Sequence, residues 1–387
     1  MIRIRAGALC LFIVGCVSAG APAPGPAVLR APAAVGVGGA YSAWFADERD
    51  GVVYFGLSDF WSAYWASGDP LAELGEPGSQ QIGRFDLASE TFLPPLLVRE
   101  AGPEVRASVW DVLAHPNGWV YYTTFYEEMG RVHPATGAVE RFSSLGAGLN
   151  ELALGPDGRI FATRYGDGSG QRRSSSDGAL VAVSPEGRKL AEIRLHARDG
   201  AVTAAKSVAF DPVSGHVFVN ADVLRDASDV RFASFELTRD LSLVSAELGD
   251  PELLFAAFAP DGVGVRVEDD GGRLGLWLRE PGREPVRLDL GPRSPQDFAQ
   301  DVHFAHDGTA VIAFWSGRVE LVRAGAGGLE HARVDLERPS ECVPPEGRSL
   351  VYSAFVASRA VYATLYCGAT ILRAPLPADW RPVAPRN

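Results

Sequence analysis

This chain repeats one short pattern along most of its length: an apolar segment, a turn rich in Asp, Asn, Pro and Gly, and a second segment of apolar and aromatic residues. The clearest copies read WDVLAHPNGWVYYTT, NELALGPDGRIFATR and DVHFAHDGTAVIAF. In such copies a D-G or N-G turn separates two alternating apolar runs, which is typical of a tight β-hairpin. The copies lie at residues 42–56, 110–124, 150–164, 207–220, 255–267, 301–314 and 352–365.

Further strand patterns follow many of the copies, so that four short strands form one unit of about fifty residues, the length of a propeller blade. An isolated blade exposes both faces, and stacking several in a closed ring buries them. The sequence therefore predicts an all-β fold, a seven-bladed β-propeller, with six blades as the alternative because the first and last copies are weak. Closing the ring needs a strand from one terminus in the blade of the other, so we expect residues 27–37 to pair near 371–375.

The N-terminus predicts an exported protein. Two arginines precede an apolar run from Ala6 to Val14, which is too short to cross a membrane and is typical of a secretory signal. The sequence IVGC ending at Cys16 resembles a bacterial lipobox, in which the cleaved protein carries lipid on that cysteine. The alternative is cleavage after Ala19, which would release a soluble periplasmic or secreted protein.

The predicted organisation has three parts. Residues 1–15 are a signal peptide of the lipoprotein type, and residues 16–36 are a tether rich in Ala, Pro and Gly that could hold the ring-closing strand. Residues 37–387 are a single propeller domain. The expected location is the bacterial cell envelope, with the N-terminal lipid as the sole membrane contact, and we expect a monomer.

Charge and cysteine content limit the partners and the redox chemistry. The formal net charge is −12, from 48 acidic and 36 basic residues, so the surface repels phosphate backbones and nucleic-acid binding is not expected. A small molecule or an envelope protein is the expected partner.

Outside the N-terminal segment, Cys342 and Cys367 are the two cysteines, and export favours a disulfide between them over a reactive thiol pair.

The paired segments GPDGRIFATR and GRVHPATGAVERF resemble repeats of virginiamycin B lyases, and also those of gluconolactonase (senescence-marker-protein) and NHL-repeat propellers. The resemblance covers residues 105–240 best. It implies the propeller architecture, whereas propellers carry enzymes, sugar binders and scaffolds alike.

Three carboxylates are predicted to meet on the propeller axis. Asp111, Glu151 and Asp301 stand seven residues before their turn glycines, on the strands expected to line the channel. Such carboxylates repel one another unless protons or a hard cation relieve them. The gluconolactonase resemblance implies a channel metal, so these three residues with Asn150 are candidate ligands of Ca²⁺ or Mg²⁺. The alternative is that they cap strand ends and bind water.

Loops that leave the second strands supply candidate ligand-binding residues. Aromatic faces beside fixed polar groups suit a sugar, a lactone or an aromatic natural product, although such rings could instead pack between blades. The candidates are Asp59, Trp61, Tyr126, Arg164, Tyr165, Asp222, Trp315 and Tyr366.

His303 shares a strand face with Asp301 and is a candidate general base, the alternative being a packed histidine.

Together these features predict an exported, lipid-anchored propeller that binds a small molecule or a protein partner on one face of its ring. The alternative function is a divalent-metal-dependent lyase or lactonase acting on a cyclic ester.

Overall fold

The described residues of this computed structural model are all β. They are residues 25–32, 42–58, 78–102, 105, 108–124, 128–164, 178–198, 200–224, 230–248, 252–294, 299–325, 328–337, 339, 351–357, 360–365 and 368–383. They form 29 strands and two short 3₁₀ turns, with no α-helix among them. Within these ranges no helix is long and apolar enough to span a membrane.

Each blade is an antiparallel meander that starts with its innermost strand. The first strand of the chain, β1 (Ala27–Arg30), is the exception and belongs to the last blade. Blade 1 comprises β2 (Ser42–Arg49), β3 (Val52–Ser58), β4 (Gln80–Asp86) and β5 (Thr91–Arg99). Blade 2 comprises β6 (Val112–Ala114), β7 (Val120–Thr123), β8 (Met129–Val132) and β9 (Val139–Arg141). Blade 3 comprises β10 (Leu149–Leu154), β11 (Ile160–Arg164), β12 (Ala179–Val183) and β13 (Lys189–Arg194).

The second half of the ring has the same plan. Blade 4 comprises β14 (Ala201–Asp211), β15 (His216–Leu224), β16 (Val230–Thr238) and β17 (Leu243–Leu248). Blade 5 comprises β18 (Glu252–Phe258), β19 (Gly264–Asp270), β20 (Arg273–Arg279) and β21 (Val286–Pro292). Blade 6 comprises β22 (Ala299–Phe304), β23 (Ala310–Phe314), β24 (Arg318–Gly325) and β25 (Gly328–Asp335). Blade 7 holds β26 (Val351–Ala357), β27 (Ala360–Leu365) and β28 (Thr370–Pro375), and β29 (Arg381–Pro382) adds a fifth strand to blade 6.

The seven sheets confirm the prediction of a seven-bladed propeller, and the six-bladed alternative is wrong. The last blade is built from both ends of the chain, because β1 pairs with β28 in a register that sets Ala27 opposite Arg373 and Arg30 opposite Thr370. The peptide N–H of Ala31 continues the ladder to the carbonyl oxygen of Ala369 at 3.1 Å. An N-terminal strand thus covers the outer edge that blade 7 would otherwise expose.

Hydrophobic side chains fill the spaces between neighbouring blades, so each blade buries its two faces against the next. One position on each second strand faces the following blade, and we call it the inter-blade position. Phe161 there stacks on Phe210 of blade 4, and Phe218 packs on Phe258 of blade 5, with ring centroids 6.1 and 5.3 Å apart. By strand register, the seven inter-blade residues are Tyr54, Tyr121, Phe161, Phe218, Val265, Val311 and Tyr362.

Candidate functional site

The innermost strands surround a cavity of about 170 Å³ at the propeller axis, which we call the channel cavity. Five ionisable side chains from four blades line it, with Ser207 and apolar residues between them. The ionisable residues are Asp47, Asp111, Glu151, Asp301 and His303. The three carboxylates predicted to converge therefore lie around one space.

Threonines on the second strands hold two of these carboxylates at the same height. The peptide N–H of Asp111 donates to Oγ1 of Thr123 at 3.3 Å, and that of Glu151 donates to Oγ1 of Thr163 at 3.0 Å. Both threonines are buried, so their hydroxyls have few alternative partners. Blades 2 and 3 thus make the same hydrogen bond to a threonine, and for this reason Asp111 and Glu151 both face the cavity.

Two of the carboxylates also join neighbouring blades. Oδ2 of Asp111 accepts the peptide N–H of Leu152 in blade 3 at 2.7 Å, and its Oδ1 accepts the N–H of Val112 at 2.8 Å. Asp47 does the same one blade earlier, because its Oδ2 accepts the N–H of Ala114 in blade 2 at 2.8 Å. These carboxylates therefore hold the inner strands in place as well as lining the cavity.

Burial in the cavity raises the pKa of Asp47, Asp111 and Glu151. Burial raises the pKa of Asp47 to about 6, and it raises the pKa of Asp111 well above its ordinary range. Burial does the same to the pKa of Glu151, and the charges of Asp111 and Asp301 raise it further, while the Lys206 ammonium opposes them. Acids that keep their protons near neutral pH can donate them to a ligand or a leaving group.

His303 lies against one of these acids. Its Nδ1 is 3.2 Å from Oδ2 of Asp301, and its ring centroid lies 5.3 Å from that of Phe355. Burial lowers the pKa of His303, but the charge and hydrogen bond of Asp301, together with the charge of Asp47, outweigh burial and raise it. A ring held through Nδ1 presents Nε2 as its other nitrogen, the arrangement of an oriented base.

The predicted metal ligands do not make a preformed site. Across the described ranges, no group of three or more His, Cys, Asp and Glu side chains is placed to hold a metal ion. Both oxygens of Asp111 already accept peptide N–H groups, and Asn150 does not line the channel cavity, since neighbours along a strand face opposite ways. Binding of Ca²⁺ or Mg²⁺ stays a prediction, and the chemistry proposed below uses no metal.

Arg164, a predicted ligand contact, is held by the backbone before β10. Its side chain is buried, and its guanidinium donates to the carbonyl oxygens of Ala147 and, at 2.6 Å, Leu145, while Nε lies 3.3 Å from Oε1 of Glu192. A planar fork with these partners fixes the chain before β10. The sequence shows a charged residue at the end of a strand but not the carbonyl groups around it.

The other predicted ligand contacts divide into two groups. Asp222 is buried with Oδ1 3.0 Å from Nζ of Lys206, and Trp315 is half-buried directly after β23. The remainder lie outside the described residues, as do the cysteines predicted to carry lipid or form a disulfide. These residues are Asp59, Trp61, Tyr126, Tyr165, Tyr366, Cys16, Cys342 and Cys367.

Sequence reasoning missed Asp47 and Lys206. In blade 1, Arg49 pairs with Val52 across a two-residue turn, whereas Ala114 pairs with Val120 across a longer one, so a fixed count back from the turn glycine reaches another height. Asp47 pairs with Tyr54 as His303 pairs with Val311, so it lies at the height of His303 and not at that of Asp111. The charge of Lys206 opposes the rise in the pKa of Glu151. Nothing in the sequence around Lys206 distinguishes it from a surface lysine.

Comparison with known proteins supports the architecture. No protein-family model matches the chain, and a search of curated proteins finds no match. Among solved structures it is similar to a catalytically inactive His-to-Ala variant of virginiamycin B lyase from Staphylococcus aureus with quinupristin, at TM-score 0.56 and 12% identity over 88% of this chain and 96% of that one.

Two further structures agree. A selenomethionine-substituted virginiamycin B lyase from the same organism aligns at TM-score 0.54 and 11% identity over 87% of this chain and 95% of that one. A streptogramin B lyase structure aligns at TM-score 0.53 and 12% identity over 87% of this chain and 94% of that one. The expected resemblance to virginiamycin B lyase is confirmed, and it establishes that this chain has the propeller fold of those structures.

Proposed function

We propose that this protein binds a small molecule, or one end of a larger one, in the channel cavity. The observation that carries the proposal is the group of four carboxylates and one imidazole around a single space. Perturbed titratable groups gathered in a cleft are the usual mark of a functional site. A purely structural channel has no need of acids whose pKa values are raised by burial.

The cavity chemistry selects the ligand. Its acids accept hydrogen bonds when ionised and donate them when protonated, so a ligand with amide, hydroxyl or amine groups has partners there. The volume of about 170 Å³ is below the several hundred Å³ of a typical drug-sized pocket. We therefore expect one polar end of the ligand to enter the channel and the remainder to lie across the face of the ring.

A second candidate function is lyase catalysis, which the pairing of His303 with Asp301 favours. In an elimination, one group removes a proton from carbon while another protonates the leaving group. Nε2 of His303, when neutral, is the candidate base, and the protonated carboxyl of Glu151 is the candidate acid. The inactive variant named in the first similar structure replaces a histidine, which supports a role for histidine in a related propeller.

Ligand binding and turnover can be tested together. The purified chain is incubated with quinupristin and a panel of cyclic esters, with binding followed by calorimetry and products by mass spectrometry. A ring opened by elimination keeps its mass, whereas hydrolysis adds one water. The variants are His303→Ala and Glu151→Gln, with Asp335→Asn, on the exposed outer strand, as control.

Each result has a distinct meaning. Binding without turnover that both channel variants weaken supports the binding function. Turnover without a mass change that His303→Ala abolishes supports the lyase. Binding and turnover that both channel variants leave unchanged, or the absence of both activities across the panel, contradict the channel cavity as the site.

We also propose that the protein is exported and anchored to the bacterial envelope through lipid on Cys16, as the lipobox-like sequence indicates. Mass spectrometry of the mature N-terminus should find a lipid-modified Cys16. A mature chain beginning at Gly20 contradicts the anchor. In the same sample, two alkylated thiols on unreduced protein contradict the proposed bridge between Cys342 and Cys367.

A further inference from the structure

The innermost strand of each blade pairs on one side only, so alternate peptide groups along it point to the propeller axis. In an antiparallel ladder, pairs that exchange hydrogen bonds alternate with pairs that do not, and the peptide groups of the second kind point away from the partner strand. Blade 3 gives an example, because Leu152 pairs with Ala162 while its peptide N–H donates into the channel, to Oδ2 of Asp111. Turn hydrogen bonds fix which residues behave in this way in the other blades.

Two further N–H groups point into the channel by the same rule. In blade 5, the N–H of Ala259 donates to the carbonyl oxygen of Val263 at 2.8 Å, which makes that pair a bonded one. Counting back along the paired strands from there, Ala256 is in a non-bonded pair, and its N–H points to the axis. The corresponding turn bond of Ala305 in blade 6 gives the same direction for the N–H of Val302.

Blade 4 adds a third group. The carbonyl oxygen of Asp211 accepts the N–H of Gly215 at 2.9 Å and so points into the hairpin, which turns the N–H of Val208 to the axis. Val208, Ala256 and Val302 all line the channel cavity. The side chains of Val208 and Val302 pack between blades, so these residues meet the cavity through their backbone. We call the three N–H groups the peptide N–H site.

The equivalent N–H groups of blades 1 to 3 already have acceptors. The N–H of Ala46 donates to Oγ of Ser353 at 3.2 Å. One carboxylate serves the next two blades, because Oδ1 of Asp111 accepts the N–H of Val112 at 2.8 Å and its Oδ2 accepts that of Leu152 at 2.7 Å. These groups and the peptide N–H site all lie one residue pair farther from the turn than the inter-blade position. Asp111 therefore shows that a two-oxygen group at the axis can join the N–H groups of neighbouring blades.

In blades 4 to 6 the residue that precedes each N–H group provides no acceptor for it. Phe255 of blade 5 has no acceptor atom in its side chain, and Asp301 of blade 6 is directed to Nδ1 of His303, at 3.2 Å. Ser207 of blade 4 accepts none either, and within the described part of the chain no side chain accepts the three N–H groups. In so narrow a cavity, N–H groups without a protein acceptor favour a ligand that brings one.

We propose that the peptide N–H site binds the acyl oxygen of a ligand, the carbonyl oxygen of a neutral ester or amide. This inference rests on the proposed function, because it names the group that enters the channel cavity. A carbonyl oxygen has two lone pairs and can accept N–H groups from two blades. A neutral acyl group is favoured over a carboxylate because Glu151 and Asp301 line the same cavity and repel negative charge.

The neighbouring side chains give the site a chemical use. His303 follows Val302 on the same strand, and Glu151 lines the cavity from the blade before Val208. N–H groups that a strand holds in place stabilise negative charge developing on an acyl oxygen, with little reorganisation. The site therefore serves both the binding function and the lyase candidate, since it holds the acyl oxygen in either case.

Matched probes test the need for an acyl oxygen. The full chain, labelled with 15N-valine, is titrated with γ-butyrolactone and with tetrahydrofuran, the same ring without the carbonyl group. The lactone should bind saturably and move the amide proton signals of Val208 and Val302 downfield. The signal of Val112, already bonded to Asp111, should stay in place. Tetrahydrofuran should bind about tenfold more weakly because it lacks the carbonyl acceptor.

The variants Val208→Ile and Val302→Ile assign the two signals, because each removes one valine amide from the spectrum and keeps the N–H group.

A resident carboxylate tests the location. Ser207 stands in blade 4 where Asp111 stands in blade 2, since each precedes an N–H group of the same height. Ser207→Asp should place its oxygens on the N–H groups of Val208 and Ala256 and weaken lactone binding by about tenfold or more. The matched control is Ser242→Asp, the same change in an exposed turn, which should bind the lactone as the wild type does.

If Ser207→Asp fails to fold, Ala256→Pro tests the same point. The innermost strand is an edge strand and this N–H makes no ladder bond, so proline removes one donor of the site without breaking a strand pair. The variant should weaken lactone binding about tenfold and leave tetrahydrofuran binding unchanged.

The ring signals of His303 separate this site from the proposed function. A lactone that moves those signals but neither valine amide occupies the channel cavity without the peptide N–H site, and overturns this inference alone. Equal affinity for lactone and tetrahydrofuran also overturns it, as does wild-type lactone affinity in every site variant that folds. If the lactone shows no saturable binding, the peptide N–H site is wrong, and the channel function is then decided by quinupristin and the other cyclic esters.

Discussion

The acidic neighbours of His303 all raise its pKa. A measurement of that pKa therefore reports on those neighbours. Asp301 supplies a hydrogen bond and a charge, and Asp47 adds a second charge. These contributions exceed the opposing effect of burial. The imidazole of His303 should therefore bind its proton less tightly when the neighbouring carboxylates carry no charge. The imidazole therefore reports on the charge state of the cavity.

At the residue scale, Asp301→Asn should lower the pKa of His303. The variant removes the charge that holds the proton on the imidazole but keeps an oxygen near Nδ1. Two-dimensional NMR of the histidine rings gives the pKa directly, with His303→Ala to assign the signal. If the protein turns over a substrate, the rise of its rate on the acid side of the pH profile should move to lower pH in Asp301→Asn. An unchanged pKa contradicts the pairing.

A second residue-scale prediction concerns Asp47. The folded protein holds this proton with a pKa of about 6, whereas the ordinary value is 3.8. Between these two values the folded state binds more protons than the unfolded state, so stability falls as pH rises through that window. Asp47→Asn has no such proton, and its Tm should fall less between pH 4 and 6 than that of the wild type. Asp50→Asn, a largely exposed neighbour, is the control and should follow the wild-type slope.

At the scale of the element, polar side chains fix one blade to the next. The guanidinium of Arg279 in blade 5 donates to both oxygens of Asp211 in blade 4 at 2.8 and 2.7 Å. Asp211 is fully buried, which by itself raises its pKa, but the hydrogen bonds of Arg279, Ser214 and the peptide N–H of Val213, with the charge of Arg279, together lower it. Loss of one partner of such a pair leaves the other without its bonds.

Asp211→Ala should therefore lower the free energy of unfolding by about 3 kcal/mol, since the variant also removes the acceptor of its own turn. Urea unfolding measures the change. The matched control is Asp240→Ala, which removes an exposed carboxylate 3.3 Å from Arg159 and should cost at most about 0.5 kcal/mol. Equal losses in the two variants contradict a special role for the blade 4 to 5 pair.

The elements themselves were largely predictable from the sequence. Gly118 and Gly308 have φ values of 91° and 81°, which is why the turn glycines marked the hairpins correctly. The height of each residue on its strand was less predictable, because it depends on the length of the turn and on bulges such as that between Ala43 and Ala46. Asp47, beside the short turn of blade 1, was missed, while Asp111 and Glu151, whose hairpins have turns of equal length, were found.

At the scale of the whole molecule, ring closure depends on β1. A variant that lacks residues 1–32 exposes the edge of β28, whereas one that lacks residues 1–24 keeps every pair of the closing ladder. The longer deletion should lower Tm and increase aggregation relative to the shorter one, because an uncovered edge strand recruits other chains. Thermal unfolding with light scattering measures both. Identical curves for the two deletions contradict the closing role.

Seven blades could be predicted because a ring is the arrangement that buries both faces of such units, and the copies could be counted. The channel cavity could not be predicted in the same way. It depends on how far each strand rises toward the axis, which the turn lengths and the strand register decide.

The pairing of Ala27 with Arg373 has a consequence for synthesis. Among the strands of the ring, β1 leaves the ribosome first, and its partner leaves almost last. A nascent chain therefore cannot close the circle until β28 has emerged, however many blades emerge before it. Among the steps of folding, the pairing of β1 with β28 must therefore follow the synthesis of all seven blades.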